Sequence, residues 1–265
     1  FPTRRSSDLT GLAEPTTADE LFAAAQKLQA AGYTPFSLAS RQKWDAAHAF
    51  EVLLGAVAGP ELYVQYFRGQ ISASHPKFIE ALRALQRLVS MANRDHAALT
   101  WDQAVQRLID GRGVMNIMGD WAKGYLTSSG WRPGVDFGAF PLPQGVFTLV
   151  IDSFGLPKGA PNREATIEWL KVVGSVAGQQ AFNPIKGSVP ARIDAPLDPY
   201  DAISRRNMAD LKTNVGIPSA VHGSIGPDPF MADFNDIIGR FVYTGDIETT
   251  VRELDAAAQR HGLRR

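Results

Sequence analysis

Val114-Met115-Asn116-Ile117-Met118-Gly119-Asp120-Trp121-Ala122 is the stretch on which the fold turns. A short apolar run that stops at a glycine reads as a buried strand ending in a turn. Past the turn stand a carboxylate and an indole. A hydrogen-bond acceptor beside a flat aromatic face is what a site for a sugar or another polyol requires, and a plain strand end with a core Trp fits the same residues.

The flanking chain alternates helical and extended signals. Thr17-Ala18-Asp19-Glu20 is a capping-box pattern, and Leu21, Ala24, Ala25 and Leu28 follow at helical spacing before Gly32, which predicts a helix over 17–30. Tyr33 to Leu38 reads as a short strand, and Trp44 to Leu54 as a helix whose inner face holds Ala47, Phe50 and Leu54. Phe78, Ile79, Leu82, Leu85 and Val89 recur at helical spacing after His75-Pro76. Thr100 with Gln103 caps a helix that ends at Gly111, directly before the opening stretch.

Downstream, Phe147 to Ile151 reads as a strand leading into Asp152-Ser153-Phe154-Gly155-Leu156-Pro157. Asn162 is placed to cap a helix carrying Ile167, Leu170 and Val173, and a further turn around Gln179 to Phe182 ends at Asn183-Pro184. Pro190, Pro196 and Pro199 mark an irregular segment, a candidate crossover between lobes. Helices are predicted over 200–213, over 229–242 and in a run opened by Asp246. Helices and strands in this alternation indicate an α/β arrangement.

Composition narrows the function. The 265 residues are 45% hydrophobic and 20% charged, enough for a large domain or two lobes with a substantial core. Basic and acidic residues are balanced at 27 each, with a pI near 7.2, so nothing draws the chain to nucleic acid. No apolar run reaches the ~18 residues of a membrane span, and the chain start lacks the apolar core of a signal peptide. The absence of Cys excludes disulfides and thiolate metal sites. Phe1 to Leu9 resembles one reading frame of a sequencing-adapter oligonucleotide, so residues 1–9 are set apart from the fold as an expected artefact.

Standard catalytic signatures fail. Gly119 and Gly124 have the spacing of a phosphate loop, but Tyr125 stands where the Lys is needed. There is no Gly-x-Ser-x-Gly elbow, and His48, His75, His96, His222 and His261 show no paired metal-ligand spacing. Asp120 and Asp152 both follow predicted strands, which leaves a two-carboxylate glycoside hydrolase as the alternative reading. A receptor domain that binds protein through an unused sugar cleft is a third.

Three motifs in order carry a resemblance: Ile117-Met118-Gly119-Asp120-Trp121-Ala122, Ile151-Asp152-Ser153-Phe154-Gly155-Leu156-Pro157-Lys158-Gly159 and Lys186-Gly187-Ser188-Val189-Pro190-Ala191-Arg192. With them the chain resembles, from Leu12 to about Leu254, the C-terminal two thirds of an extracytoplasmic sugar-binding protein of ABC importers, of the glucose/mannose-binding type. The resemblance implies an α/β, two-lobed periplasmic-binding-protein-like fold of type II with most of the first lobe missing. Residues 10–144 would belong to the second lobe, 145–192 to an inserted segment of the first, and 193–265 to the C-terminal helices of the second. Little would be left for the inserted segment to pack against, and its strand would expose a sheet edge.

By the same resemblance the protein is no enzyme and needs no cofactor or metal. It would bind a neutral hexose, glucose or mannose, in an interlobe cleft and deliver it to the permease subunits as a monomer, in the periplasm or anchored outside the membrane. Trp121 would stack on the sugar's C–H face. Asp152 would accept from two adjacent hydroxyls, and Lys186 would donate to hydroxyl oxygens. His222, in Ala220-Val221-His222-Gly223, would add a further donor or acceptor. Trp44 fits a ligand contact and a hydrophobic staple equally well.

Overall fold

The structure is a computed structural model that describes residues 12–143 and 145–264. The nine residues set apart as an artefact lie outside them. The described α-helices and β-strands, in chain order, are α1 (Ala18–Ala30), α2 (Trp44–Phe67), α3 (Pro76–Ser90), α4 (Trp101–Ile109), α5 (Trp121–Ser128), β1 (Val146–Leu149), α6 (Arg163–Gly174), α7 (Val176–Lys186), α8 (Ala202–Thr213), β2 (Val215–Pro218), α9 (Asp228–Thr244) and α10 (Ile247–Arg260).

Local capping chemistry sets several of these ends. The Thr17 hydroxyl accepts from the Glu20 N–H at 3.2 Å, as predicted, but the Glu20 carboxylate turns to the N–H and hydroxyl of Thr16 rather than back to Thr17. Gln103 accepts from the Thr100 N–H at 2.9 Å, and Asp246 from the Thr249 N–H at 3.0 Å. Asn162 precedes α6, but its side chain makes no cap hydrogen bond.

Two elements run longer than their sequence signals. α2 continues past Leu54 to Phe67 across a kink where Gly59 takes φ 82° and Pro60 begins the second segment. Proline lacks the N–H that a helix start leaves unpaired, and glycine absorbs the positive φ, so the pair reorients the helix without ending it. α7 likewise reaches Lys186 through Pro184.

The chain forms two compact units. The first takes the described residues up to Met118, then Ala139–Val150 and the chain from Thr213 onward. Its core gathers α1, α2, α3, α9 and α10 around Phe50, Phe67, Phe78 and Phe234, all nearly free of solvent and in edge or tilted ring contact at 5.2 to 6.0 Å. The predicted strands at 33–38 and 114–118 reduce to single parallel bridges of Phe36 with Ala92 and with Met115. Pro35 has no N–H to extend that ladder. β1 pairs in parallel with β2 from Val146–Val215 to Leu149–Pro218, so one side of the strand has a partner that its own neighbourhood in the sequence does not reveal, and in this two-stranded sheet its other side remains an edge.

The second unit holds Gly119–Gly138 and Ile151–Lys212. Its boundaries differ from the lobe boundaries read from the sequence, because β1 joins the first unit through β2 while residues 193–212 stay with the second. α6 has no buried residue, and Trp169, Val172, Phe182, Ile185 and Ile193 are exposed. Among the described residues no helix is long and apolar enough to cross a membrane.

Candidate functional site

In the second unit the opening motif becomes the start of α5. Trp121 is its first helical residue, half-buried, with its six-membered ring folded back on Gly119. A Cβ at Gly119 would lie 2.1 Å from ring atom Cζ3, so only glycine lets the indole take this position. Asp120 precedes the helix with no side-chain cap bond, and its main-chain oxygen accepts from the Lys123 N–H at 3.0 Å. Burial raises the Asp120 carboxyl above its ordinary value, against the pull of Lys186, Lys123 and the Val189 N–H.

α5 and α7 meet glycine to glycine. A Cβ at Gly124 would lie 2.1 Å from the Lys186 carbonyl oxygen, and one at Gly187 would lie 2.4 Å from the Asp120 oxygen. Gly187 also ends α7 at φ 96°, in the left-handed region. This close approach holds the Lys186 backbone against α5, and the Lys186 ammonium reaches back to pair with the Asp152 carboxylate. Asp152 keeps 59% of its side-chain surface exposed and Lys186 30%, so both retain open faces. Trp121, Asp152 and Lys186, distant in sequence, thus belong to one unit, with the last two in contact.

His222 and Trp44 belong to the first unit, and they also meet. Their rings stand edge to face at 5.7 Å, and His48 stands edge to face with His222 at 5.2 Å. Beneath them lies a residue that the sequence reading missed. Glu51 is 1% exposed, and its carboxylate collects donors from both ends of the unit. One oxygen accepts from the Ser219 hydroxyl at 2.7 Å and faces His48 Nδ1 at 3.1 Å. The other accepts from the N–H groups of Ala220 at 3.0 Å and Val221 at 3.2 Å, with the Tyr63 hydroxyl at 3.0 Å. Tyr63 has one proton for this oxygen and for the Pro218 carbonyl, also at 3.0 Å. Burial alone pushes the Glu51 carboxyl up; the bond and charge of His48, then Ser219 and Val221, outweigh it and hold it below its ordinary value. The signal available in the sequence was a Glu on the inner face of a helix, three residues after a His.

His48, Glu51 and His222 bring ligand atoms within 4.8 Å of one another, a composition that suits a divalent metal. Their hydrogen bonds argue otherwise: both carboxylate oxygens are engaged by donors, and both Nδ1 atoms face polar partners within the network. A second missed group is Lys123, 4% exposed in α5 and paired with Asp201 at 2.6 Å. Asp201 also accepts from the Ser204 N–H at 2.9 Å, tying α5 to the start of α8.

Comparison with known proteins gives these groups a context. Residues 5–180 match the model of the bacterial extracellular solute-binding protein family. An uncharacterised ABC transporter extracellular-binding protein of Pyrococcus horikoshii is 45% identical over 240 residues, which are 90% of this chain and 54% of that protein. A probable sugar-binding periplasmic protein of Mesorhizobium japonicum is 32% identical over 254 residues, 92% of this chain and 60% of that one. The chain therefore spans little more than half the length of these relatives. Among solved structures, the bacterial solute receptor AcbH, described as having an exclusive substrate preference for β-D-galactopyranose, matches with a TM-score of 0.85 at 18% identity, over 96% of this chain and 67% of that one. That likeness speaks to the fold, an α/β solute-binding fold as the motifs implied. The relatives and this fold neighbour carry the names of binding proteins and a solute receptor, so kinship lends nothing to a hydrolase built on Asp120 and Asp152. On the family match over most of its length, the chain belongs to the bacterial extracellular solute-binding proteins.

Proposed function

We propose that this chain carries the sugar contacts of the substrate-binding component of a carbohydrate ABC importer, working outside the cytoplasmic membrane and handing its ligand to the permease. The ligand is a neutral hexose, glucose or mannose. Trp121 provides the stacking face, Asp152 the acceptor and Lys186 the donor in the second unit; His222, with Trp44 beside it, serves in the first. The observation that carries this reading is the Asp152–Lys186 pair in the same unit as Trp121. An ammonium bound to a carboxylate keeps hydrogens for hydroxyl oxygens, the carboxylate keeps lone pairs for hydroxyl protons, and the pair is neutral overall. A polyol needs both, whereas an anionic ligand would call for an excess of Arg or Lys. The motif relation to the glucose/mannose type and the sugar-binding name of the Mesorhizobium relative support the choice of ligand class.

Titration calorimetry with glucose, mannose, galactose and xylose tests the proposal, on this chain and on any longer gene product that contains it. A binding heat for glucose or mannose that Trp121→Ala abolishes is the expected result. No heat with any of the four sugars would end the proposal, and turnover of a chromogenic glycoside would replace it with the hydrolase reading.

A further inference from the structure

The contacts of Ser219 determine where the His222 proton sits. Ser219 is fully buried, and its hydroxyl has a single hydrogen. That hydrogen goes to the Glu51 carboxylate 2.7 Å away, which as an ionised group can only accept. The Ser219 oxygen is then left as an acceptor, and the main-chain N–H of His222 already points at it from 3.3 Å. His222 Nδ1 lies 2.9 Å from the same oxygen. Two acceptors cannot share a bond, so Nδ1 carries a proton.

We propose that Glu51, acting through Ser219, is a positioning residue that locks His222 in the Nδ1–H tautomer and makes its Nε2 an acceptor. The assignment of a ring nitrogen by the bond its neighbour makes is general for histidine. Here the anchor is strong because Glu51 is itself held by the Ala220 and Val221 N–H groups, which belong to the turn that carries His222. Glu51's depressed carboxyl keeps it ionised across the neutral range, so it does not become a donor and reverse the chain of bonds. Resting on the sugar-binding reading, the lock adds a directional rule: the hydroxyl that meets His222 must donate to it.

The lock can be read without any sugar, which separates it from the binding proposal. Long-range proton–nitrogen NMR of the histidine-labelled protein, taken at a pH high enough for the His222 ring to be in its neutral form, reports each ring nitrogen as protonated or bare. The expected His222 pattern is a protonated Nδ1 and a bare Nε2. Glu51→Gln should invert it. The two main-chain N–H donors of Ala220 and Val221 hold the amide oxygen in the position of the carboxylate oxygen they bind, which leaves the amide nitrogen facing Ser219 and His48 Nδ1, where a neutral His48 can present a bare nitrogen. Ser219 then accepts from the amide and passes its own hydrogen to His222 Nδ1, so the proton moves to Nε2. A purely structural role for Glu51 would not exchange the two nitrogens. A protonated Nε2 in the unsubstituted protein would overturn the proposal, whether or not the variant folds, and so would an unchanged pattern in a folded Glu51→Gln.

Discussion

The indole of Trp121 rests on the α-carbon of Gly119, so close that a methyl group there would stand 2.1 Å from the ring. The glycine before Asp120-Trp121 is therefore a seat for the aromatic ring as much as the end of an extended segment. Gly119→Ala should push the ring off this seat, with a loss of about 1–3 kcal/mol from overpacking. Intrinsic tryptophan fluorescence and the sugar titration should shift together; a variant with unchanged emission and stability would contradict the contact.

Gly187 meets two demands at once, a φ of 96° and an approach to Asp120 and Gly124 that leaves no room for a Cβ. Gly187→Ala should destabilise by more than the ~1 kcal/mol of a left-handed alanine alone. Urea unfolding would show it, with Gly130→Ala as the reference, since Gly130 has positive φ but open space around it.

Lys123 is buried and its partner Asp201 partly so, with side chains 4% and 28% exposed, so removing one partner should cost more than removing both. Lys123→Met is expected to lose on the order of 3 kcal/mol and the double variant Lys123→Met/Asp201→Asn distinctly less. For Asp201, burial raises the carboxyl but the Lys123 and Ser204 bonds overcome it, leaving it below its ordinary value. A carboxyl depressed in the folded state contributes stability above its unfolded pKa, and that contribution fades as pH falls through the folded value. Acid titration of stability should therefore be shallower in Asp201→Asn.

Asp45 behaves in the opposite sense. It is 2% exposed, neither carboxylate oxygen has a well-formed hydrogen bond among the described residues, and burial, against the pull of the nearby Gln42 N–H, pushes its carboxyl up to about 6. A raised folded-state value means that the folded protein binds this proton more tightly than the unfolded chain. Stability is thus lost as pH rises from the ordinary value of 3.8 towards 6, and the full cost is present above that. Asp45→Asn should stabilise by on the order of 2 kcal/mol above about pH 7 and by little at about pH 4. Parallel denaturant curves at the two pH values would decide it.

The second unit leaves Trp169, Val172, Phe182, Ile185 and Ile193 in solvent, with Ile193 92% and Ile185 77% exposed. Apolar surface of this kind binds hydrophobic dyes and promotes association. Anilinonaphthalene sulfonate fluorescence and concentration-dependent light scattering should both be high for this chain, and Ile185→Lys with Ile193→Lys should lower them. Low dye binding in the unsubstituted chain would contradict the exposure of these side chains in solution.

Much of the helical framework was legible because its signals are local. Thr17, Thr100 and Asp246 mark helix starts by side-chain to main-chain bonds that span three residues, and Leu21 to Leu28 or Phe78 to Leu85 show their buried face within two turns. The resemblance carried by the three motifs also pointed to Asp152 and Lys186, whose side chains the structure pairs. Other features were settled by tertiary contact. β1 has its partner at Val215–Pro218, and α2 runs on through Gly59-Pro60, a pair that usually signals a break, because its second segment buries Tyr63, Tyr66 and Phe67. Glu51 illustrates the boundary between the two most sharply. Its sequence neighbourhood marks it only as a helical residue, and nothing within four positions reveals that donors near residue 220 will hold a carboxylate in the core. Periodicity and capping act over a few residues and so are written in the chain; the desolvation and pairing of a buried charge depend on groups that only the fold brings within hydrogen-bond distance.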